Sequence, residues 1–341
     1  MLDGFFNIDL RLRELDAAGD PLPRLNQVID WELFRRYTDS IRDKARKSRA
    51  GRPAYDTILM FKILILQSLY NLSDDAIEYQ IRDRISFMRF LGLSLGDRVP
   101  DAKTIWLFRE QLREGELVEP LFALFDRYLN DHGFIAQKGQ IVDASIVAAP
   151  RQRNTREENE TIKQTGEAPA QWAEKPAKLA QKDVDARWTK KNEVTHFGYK
   201  NHICVDVAHK MIRAWAVTDA AVHDSQIFEE LVDDDNTRRE LWADSAYRSA
   251  LSLEQLKQWG LRENLQRKGV RGRPLSEREQ QGNRTRARIR ARVEHVFGMQ
   301  LMRAGSLIMR TIGIARARCK IGLRNLAYNL TRYGRLAAAG G

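Results

Sequence analysis

The chain has 341 residues, 43% of them hydrophobic and 30% charged, enough to bury a sizeable core and to divide into two domains. Lysine and arginine number 57 against 46 acids, a net charge of +11, and such an excess attracts polyanions, nucleic acid foremost. Only two cysteines occur, Cys204 and Cys319, which excludes a disulfide framework and a four-cysteine zinc site. The N-terminus, MLDGFFNIDLRLRELD, lacks the basic start and apolar core of a signal peptide. The most apolar run, TILMFKILILQSLY (57–70), is too short to span a bilayer. These features point to a cytoplasmic protein with no membrane partner, nucleoid-associated when bound to DNA.

Residues 1–132 read as a small helical domain. Leu59, Lys62, Ile63, Leu66 and Leu69 recur near helical spacing, Ser73 is placed to cap a second helix, and Asp101 a third. A purely structural bundle and a DNA-binding helical unit both fit this pattern. The second gains from the basic arm RDKARKSRAGRPAYD (42–56), which can lie along phosphates.

Past Gly133 the period shortens to two. GQIVDASIV (139–147), NHICVDVA (201–208) and KMIRAWAVT (210–218) are rich in β-branched residues, and the last two predict an antiparallel hairpin. DSQIFEELVDD predicts a helix, RELWADSA a short strand ending in a turn, SALSLEQLKQWG a helix closed by Gly260, and RENLQ an edge strand. This order indicates a mixed α/β sheet covered by helices, filling 133–335 before a tail at 336–341. Residues 151–195 are polar, lack apolar periodicity and read as a flexible loop. Residues 266–292 hold ten lysines and arginines against Glu277 and Glu279; either a solvated face or a phosphate-binding surface explains that density, and the density favours the second.

Three acids stand where burial rules make a carboxylate costly. Asp143 lies inside IVDASIV, Asp244 ends LWAD, and Glu294 sits among apolar neighbours in RARVEHVFG. Hydrogen bonds to a turn would neutralise any one of them. A divalent cation would serve all three together, because hard cations take oxygen ligands and carboxylates on neighbouring rigid elements hold the ions that act on phosphodiesters. Arg290, four residues before Glu294, is placed to form an ion pair with it on a helix. His223–Asp224 reads first as a helix cap, His196, His202 and Cys204 lack the second ligand pair of a zinc site, Asp206 is a weaker accessory acid, and Tyr247 either packs or touches DNA.

The strings IVDASIVAAP, HFGYKNHICVD, VTDAAVHDS, LWADSAYRS and RARVEHVFG, in this order, resemble the catalytic core of bacterial insertion-sequence DDE transposases, specifically the insertion-sequence-five group. GRPAYDTILMFKILILQSLYNLSDDAIEYQIRDRISFMRFLGL and VPDAKTIWLFRE are similar to that group's helical domain, so the resemblance covers roughly residues 45–335. It implies a ribonuclease-H-like mixed sheet flanked by helices, with Asp143, Asp244 and Glu294 as catalytic, metal-binding acids. It also implies two Mg²⁺ ions, with Mn²⁺ acceptable to the same ligands, one activating the nucleophile and the other stabilising the leaving oxygen.

The same resemblance implies binding to the terminal inverted repeats of the element, cleavage that frees a 3′-hydroxyl, and strand transfer into target DNA. Joining two ends in one event implies a homodimer on paired DNA ends. Lys268, Arg271, Arg273, Arg286, Arg288, Arg290 and Arg292 are the expected DNA-contacting residues. Arg290 and Glu294 match the related signature of tyrosine, arginine, glutamate and lysine, but Ala287 stands at its tyrosine position and Leu301 at its lysine position. A nuclease of the same fold and a catalytically silent DNA-binding descendant are the alternatives.

Overall fold

The computed structural model describes residues 6–42, 53–135, 139–191, 193–233, 236 and 239–339. Residues 43–52 of the basic arm therefore lie outside the described residues. The chain divides into two compact units, Met1–Leu129 with Gly322–Gly341, and Asn130–Ile321.

The first unit begins with α1 (Phe6–Ala17), α2 (Leu22–Val28) and α3 (Arg35–Ser40), and continues through α4 (Thr57–Tyr70), α5 (Asp74–Asp83), α6 (Ile85–Leu91), α7 (Ala102–Glu114) and α8 (Val118–Asp131). The caps expected at Ser73 and Asp101 are present: Ser73 Oγ accepts from Ala76 N at 3.1 Å and Asp101 Oδ1 from Thr104 N at 2.7 Å. Helix α4 is apolar on every side because it runs through the core, where Met60, Phe61, Ile63, Leu64, Ile65 and Leu66 are all buried. Arg109 of α7, also buried, donates to both oxygens of Asp74 at 2.6 and 2.8 Å and to Gln67 at 2.9 Å, tying α4, α5 and α7 with a satisfied charge pair.

The second unit starts with β1 (Gln140–Ala148), followed by α9 (Arg156–Thr165), α10 (Pro176–Leu179), β2 (Arg187–Lys191), β3 (Val194–Asp206), β4 (Ile212–Asp219), α11 (Phe228–Leu231), β5 (Glu240–Ala243), α12 (Ala250–Gln258), β6 (Arg262–Leu265) and α13 (Glu277–Ala304). The chain ends in α14 (Ile314–Ala339). Strand β1 is central: it pairs antiparallel with β3 over nine residues and parallel with β5, which pairs parallel with β6. The far side of the sheet is the β3–β4 hairpin, with β2 on the first part of β3. Three antiparallel strands followed by two parallel ones, with helices against the sheet, are the expected ribonuclease-H-like mixed arrangement.

Two expectations need correction. Residues 151–195 are not an unstructured loop: Thr155 and Glu158 form a capping box that starts α9, and Trp172 packs fully buried with its indole N–H on Glu158 at 2.7 Å. The polar composition hid a miniature core in which the Lys178 ammonium neutralises the buried Glu158. Residues 322–335 group with the first unit rather than the second. This part of α14 is buried from 322 to 331, and Tyr333 packs edge-on against Phe125 and Tyr128 and meets the Tyr128 hydroxyl at 3.1 Å.

Candidate active site

The β1–β5 ladder places two of the three acids. Its last parallel pair is Ile141 with Trp242. Two residues further on each strand come Asp143 and Asp244, so the parallel register carries both carboxylates to the end of the ladder. Asp143 is buried and its Oδ1 accepts from Ala144 N at 2.8 Å. Asp244 caps the tight turn at Ser245–Tyr247, accepting from Ala246 N at 2.8 Å. Burial raises the Asp143 pKa against the pull of Arg290, and the nearby charge of Asp244 raises it further.

Arg290 reaches this point from α13, which packs against β1 and β5. Its guanidinium donates to Asp143 Oδ2 at 2.9 Å and to Gln266 Oε1 at 2.9 Å. Burial works against the arginine's charge, but the carboxylates of Asp143, Asp244 and Glu294 overcome it and hold the pKa above the usual value. The strong partner of Arg290 is thus Asp143, from another element, rather than its helix neighbour Glu294. Glu294 lies one turn further along α13, exposed to solvent but within the field of Arg290. Among the described residues no three His, Cys, Asp or Glu side chains converge at cation-binding distance.

The donor set nevertheless fits a hard divalent cation. Every candidate ligand is a carboxylate oxygen, and three carboxylates facing one guanidinium leave two negative charges uncompensated. A buried acid such as Asp143, with the partly exposed Asp244 beside it, is costly without such compensation.

The basic residues separate into two groups. Lys268, Arg271, Arg273 and Arg288 are exposed. Arg273 and Arg286 join Arg267 and Arg278 around a concave surface of about 680 Å³ at the start of α13, where Ser276 and Glu279 form a capping box. Arg290 and Arg292 turn inward instead, Arg292 donating to Val207 O at 2.8 Å. Their guanidinium groups serve the protein's own acceptors.

The remaining candidates have structural places. Asp206 is buried at the β3–β4 turn, where it accepts from His209 N, opposite Gln140 at the other end of β1 from Ala148. Cys204 lies in the core with its thiol on Gln140 Oε1 at 3.2 Å. His202 is fully buried against Thr218 Oγ1 at 2.8 Å. In the His223–Asp224 pair the cap is His223, which accepts from Ser225 N, while Asp224 forms an ion pair with Lys200 at 2.8 Å. Tyr247 is packed in the core, not at a DNA-facing surface. Sequence reasoning missed Lys200 and Gln266; neither belongs to a pattern that distinguishes it from an ordinary strand or loop residue.

Acids set side by side by adjacent parallel strands, beside a basic helix, are suited to holding cations that act on phosphodiesters. The family model described as "Transposase DDE domain" matches residues 136–330, and that described as "Transposase domain (DUF772)" matches residues 10–111. The first alone spans more than half of the chain, and the chain belongs to the DDE transposases, a family that generally works with divalent metal ions. Among solved structures it is similar to a cryo-EM structure of the piggyBac transposase synaptic complex with hairpin DNA, at a TM-score of 0.44 and 15% identity, over 94% of this chain and 76% of that one. No helix among the described residues is long and apolar enough to cross a membrane.

Proposed function

We propose that this DDE transposase belongs to the insertion-sequence-five group and acts on the terminal inverted repeats of its own element. Asp143 and Asp244 hold divalent cations together with Glu294, and two Mg²⁺ ions suit the oxygen donors, with Mn²⁺ as a substitute. The observation that carries this reading is the parallel register that sets Asp143 of β1 beside Asp244, the residue after β5, with Arg290 bonded to Asp143 and within the field of Asp244 and Glu294. When bound, the ions supply polarisation of the phosphodiester and a more acidic attacking hydroxyl. The protein's own part is to fix the carboxylates on rigid strands and to neutralise excess charge with Arg290.

In the first step water attacks phosphorus at the transposon end, the bond to the 3′-oxygen breaks, and a 3′-hydroxyl is released. That hydroxyl then attacks a target phosphodiester, forming one phosphorus–oxygen bond as another breaks. The exposed residues Lys268, Arg271, Arg273 and Arg288, with Arg286, meet the DNA backbone; the helical unit of residues 1–132, including its basic arm, contributes end binding. Two ends must be joined at once, so the working form is a homodimer on paired ends in the cytoplasm, at the nucleoid.

The test is cleavage of a labelled duplex carrying the element's end, with Mg²⁺ or with EDTA, comparing the wild type with Glu294→Gln. Metal-dependent nicking at the end that disappears in the variant supports the assignment. Binding without any metal-dependent cut would turn the reading toward a silent DNA-binding descendant. Nicking without joining of the new 3′-end to target DNA would turn it toward a nuclease of the same fold.

A further inference from the structure

Close to the paired acids lies a second polar cluster that the cleavage reaction as described does not use. Tyr247 is the last residue of the turn that Asp244 caps, and its side chain is fully buried among Val142, Phe228 and Leu256. Its hydroxyl has no hydrogen-bond partner among the described residues. A buried hydroxyl left unsatisfied costs roughly 1–3 kcal/mol, so its retention in an apolar core calls for a reason. The environment supplies one: burial first, then the charges of Asp224, Asp143 and Asp244, raise its pKa far above the ordinary tyrosine value. It is therefore a neutral donor close to three carboxylates.

Asp224, whose charge reaches that hydroxyl, is itself held in place. Its Oδ1 pairs with Lys200 Nζ at 2.8 Å, and the same ammonium donates to Val222 O at 2.7 Å, which locks the start of the turn at Asp224–Ile227. That turn packs against the Ser245–Tyr247 turn. His202, on β3 opposite Ala144, completes the cluster: it is fully buried, its Nδ1 is a second unpartnered atom among the described residues, and it lies 4.0 Å from Asp224 Oδ1. Two orphaned buried polar atoms thus accompany one clamped carboxylate next to the turn that Asp244 caps.

We propose that Tyr247 and Asp224 are positioning residues for DNA cleavage: the Lys200–Asp224 pair fixes the turn packed against the one that follows Asp244, and the Tyr247 hydroxyl, unpartnered among the described residues, is a donor held for the active-site carboxylates when they close on a cation. This rests on reading Asp143 and Asp244 as cation ligands. Groups that orient ligating carboxylates from behind typically change metal affinity or activity by about 10–100-fold when removed.

The experiment measures Mn²⁺ binding to the DNA-free protein by electron paramagnetic resonance, and separately the Mg²⁺ dependence of end nicking, for Tyr247→Phe, Asp224→Asn and the double variant. Tyr247→Phe keeps the packed ring and deletes only an unsatisfied hydroxyl, so its melting temperature should be unchanged or higher. Both single variants should weaken Mn²⁺ binding about tenfold and raise the Mg²⁺ needed for half-maximal nicking by a similar factor, with the double variant no worse than the weaker single one. Unchanged Mn²⁺ binding and Mg²⁺ dependence in Tyr247→Phe, alongside loss of both in Asp143→Asn, would overturn the positioning role alone. Intact Mn²⁺ binding in Asp143→Asn and Asp244→Asn would instead remove the cation-site reading on which it rests.

Discussion

Arg290 Nη2 lies 2.9 Å from Asp143 Oδ2, joining the middle of α13 to the central strand β1 across 147 positions of sequence. Both side chains are largely shielded from water, at 16% and 12% exposure, so the pair is far more consequential than a surface ion pair. Removing one member strands the other. Arg290→Gln should destabilise the catalytic unit by about 3 kcal/mol, the usual scale for breaking a shielded pair. Added Mg²⁺ should recover part of that loss, because a cation at Asp143 and Asp244 replaces the missing charge. Thermal melts with and without Mg²⁺ measure both effects, and a variant as stable as wild type in EDTA would show that the guanidinium does not compensate Asp143.

Asp143→Asn, Asp244→Asn and Glu294→Gln should each reduce end cleavage by at least about a thousandfold, as expected when a charge acting directly at the reacting phosphate is lost. Binding to the same duplex should be unchanged or tighter, since a negative charge near phosphates has gone. Asp143→Asn should also lose stability without metal, but by less than Arg290→Gln, because asparagine still accepts from Arg290 and burial already penalises the carboxylate it replaces, raising its pKa. Parallel gel-shift, nicking and melting measurements separate these effects; normal cleavage by any of the three would remove that acid from the site.

How much of this was visible in the sequence depends on what each feature required. The caps at Ser73 and Asp101, the hairpin around His209 and the acid within IVDASIV are local patterns, and each has its expected place. The partner of Arg290 was not legible: helical spacing suggested Glu294, four residues away, whereas the closer partner comes from β1 and depends on how α13 docks. Burial of Tyr247 and the Lys200–Asp224 pair likewise depend on the packing of two turns against each other. The structure within 151–195 failed to register because its buried residues, among them Ile162, Trp172 and Glu158, are too few and too scattered to produce an apolar period, although the capping box from Thr155 to Glu158 was there to be read.

The two groups of basic residues should behave differently in DNA binding. Arg288 is exposed and Arg286 lines the concavity at the start of α13, so replacing both with alanine should weaken binding to any sequence. The slope of log affinity against log salt should fall by about one for each phosphate that is no longer neutralised. Arg292 already donates to Val207 O, and Arg292→Ala should leave that slope unchanged. Fluorescence anisotropy titrations at several salt concentrations decide the point, and equal slopes for wild type and the double variant would exclude Arg286 and Arg288 from the phosphate-binding surface.

Lys62 offers a test of the helical unit that is independent of DNA. It sits in the apolar helix α4 with its ammonium 4.6 Å from the Phe90 ring centre and 5.4 Å from that of Trp31, and burial lowers its pKa to about 8 from 10.5. Between those values the unfolded chain holds the proton and the folded chain releases it. Stability should therefore rise with pH across that interval, and below pH 8 the folded state carries the full penalty of a shielded ammonium. Lys62→Met should relieve a net penalty of about 1–2 kcal/mol at pH 7, once partial solvent access and the proximity of the two rings are allowed for. Denaturant titrations of wild type and variant from pH 7 to 10.5 measure the difference, which should be largest at pH 7 and shrink steadily above pH 8. A methionine variant less stable than wild type at pH 7 would show that the attraction of the rings outweighs the cost of burying the charge.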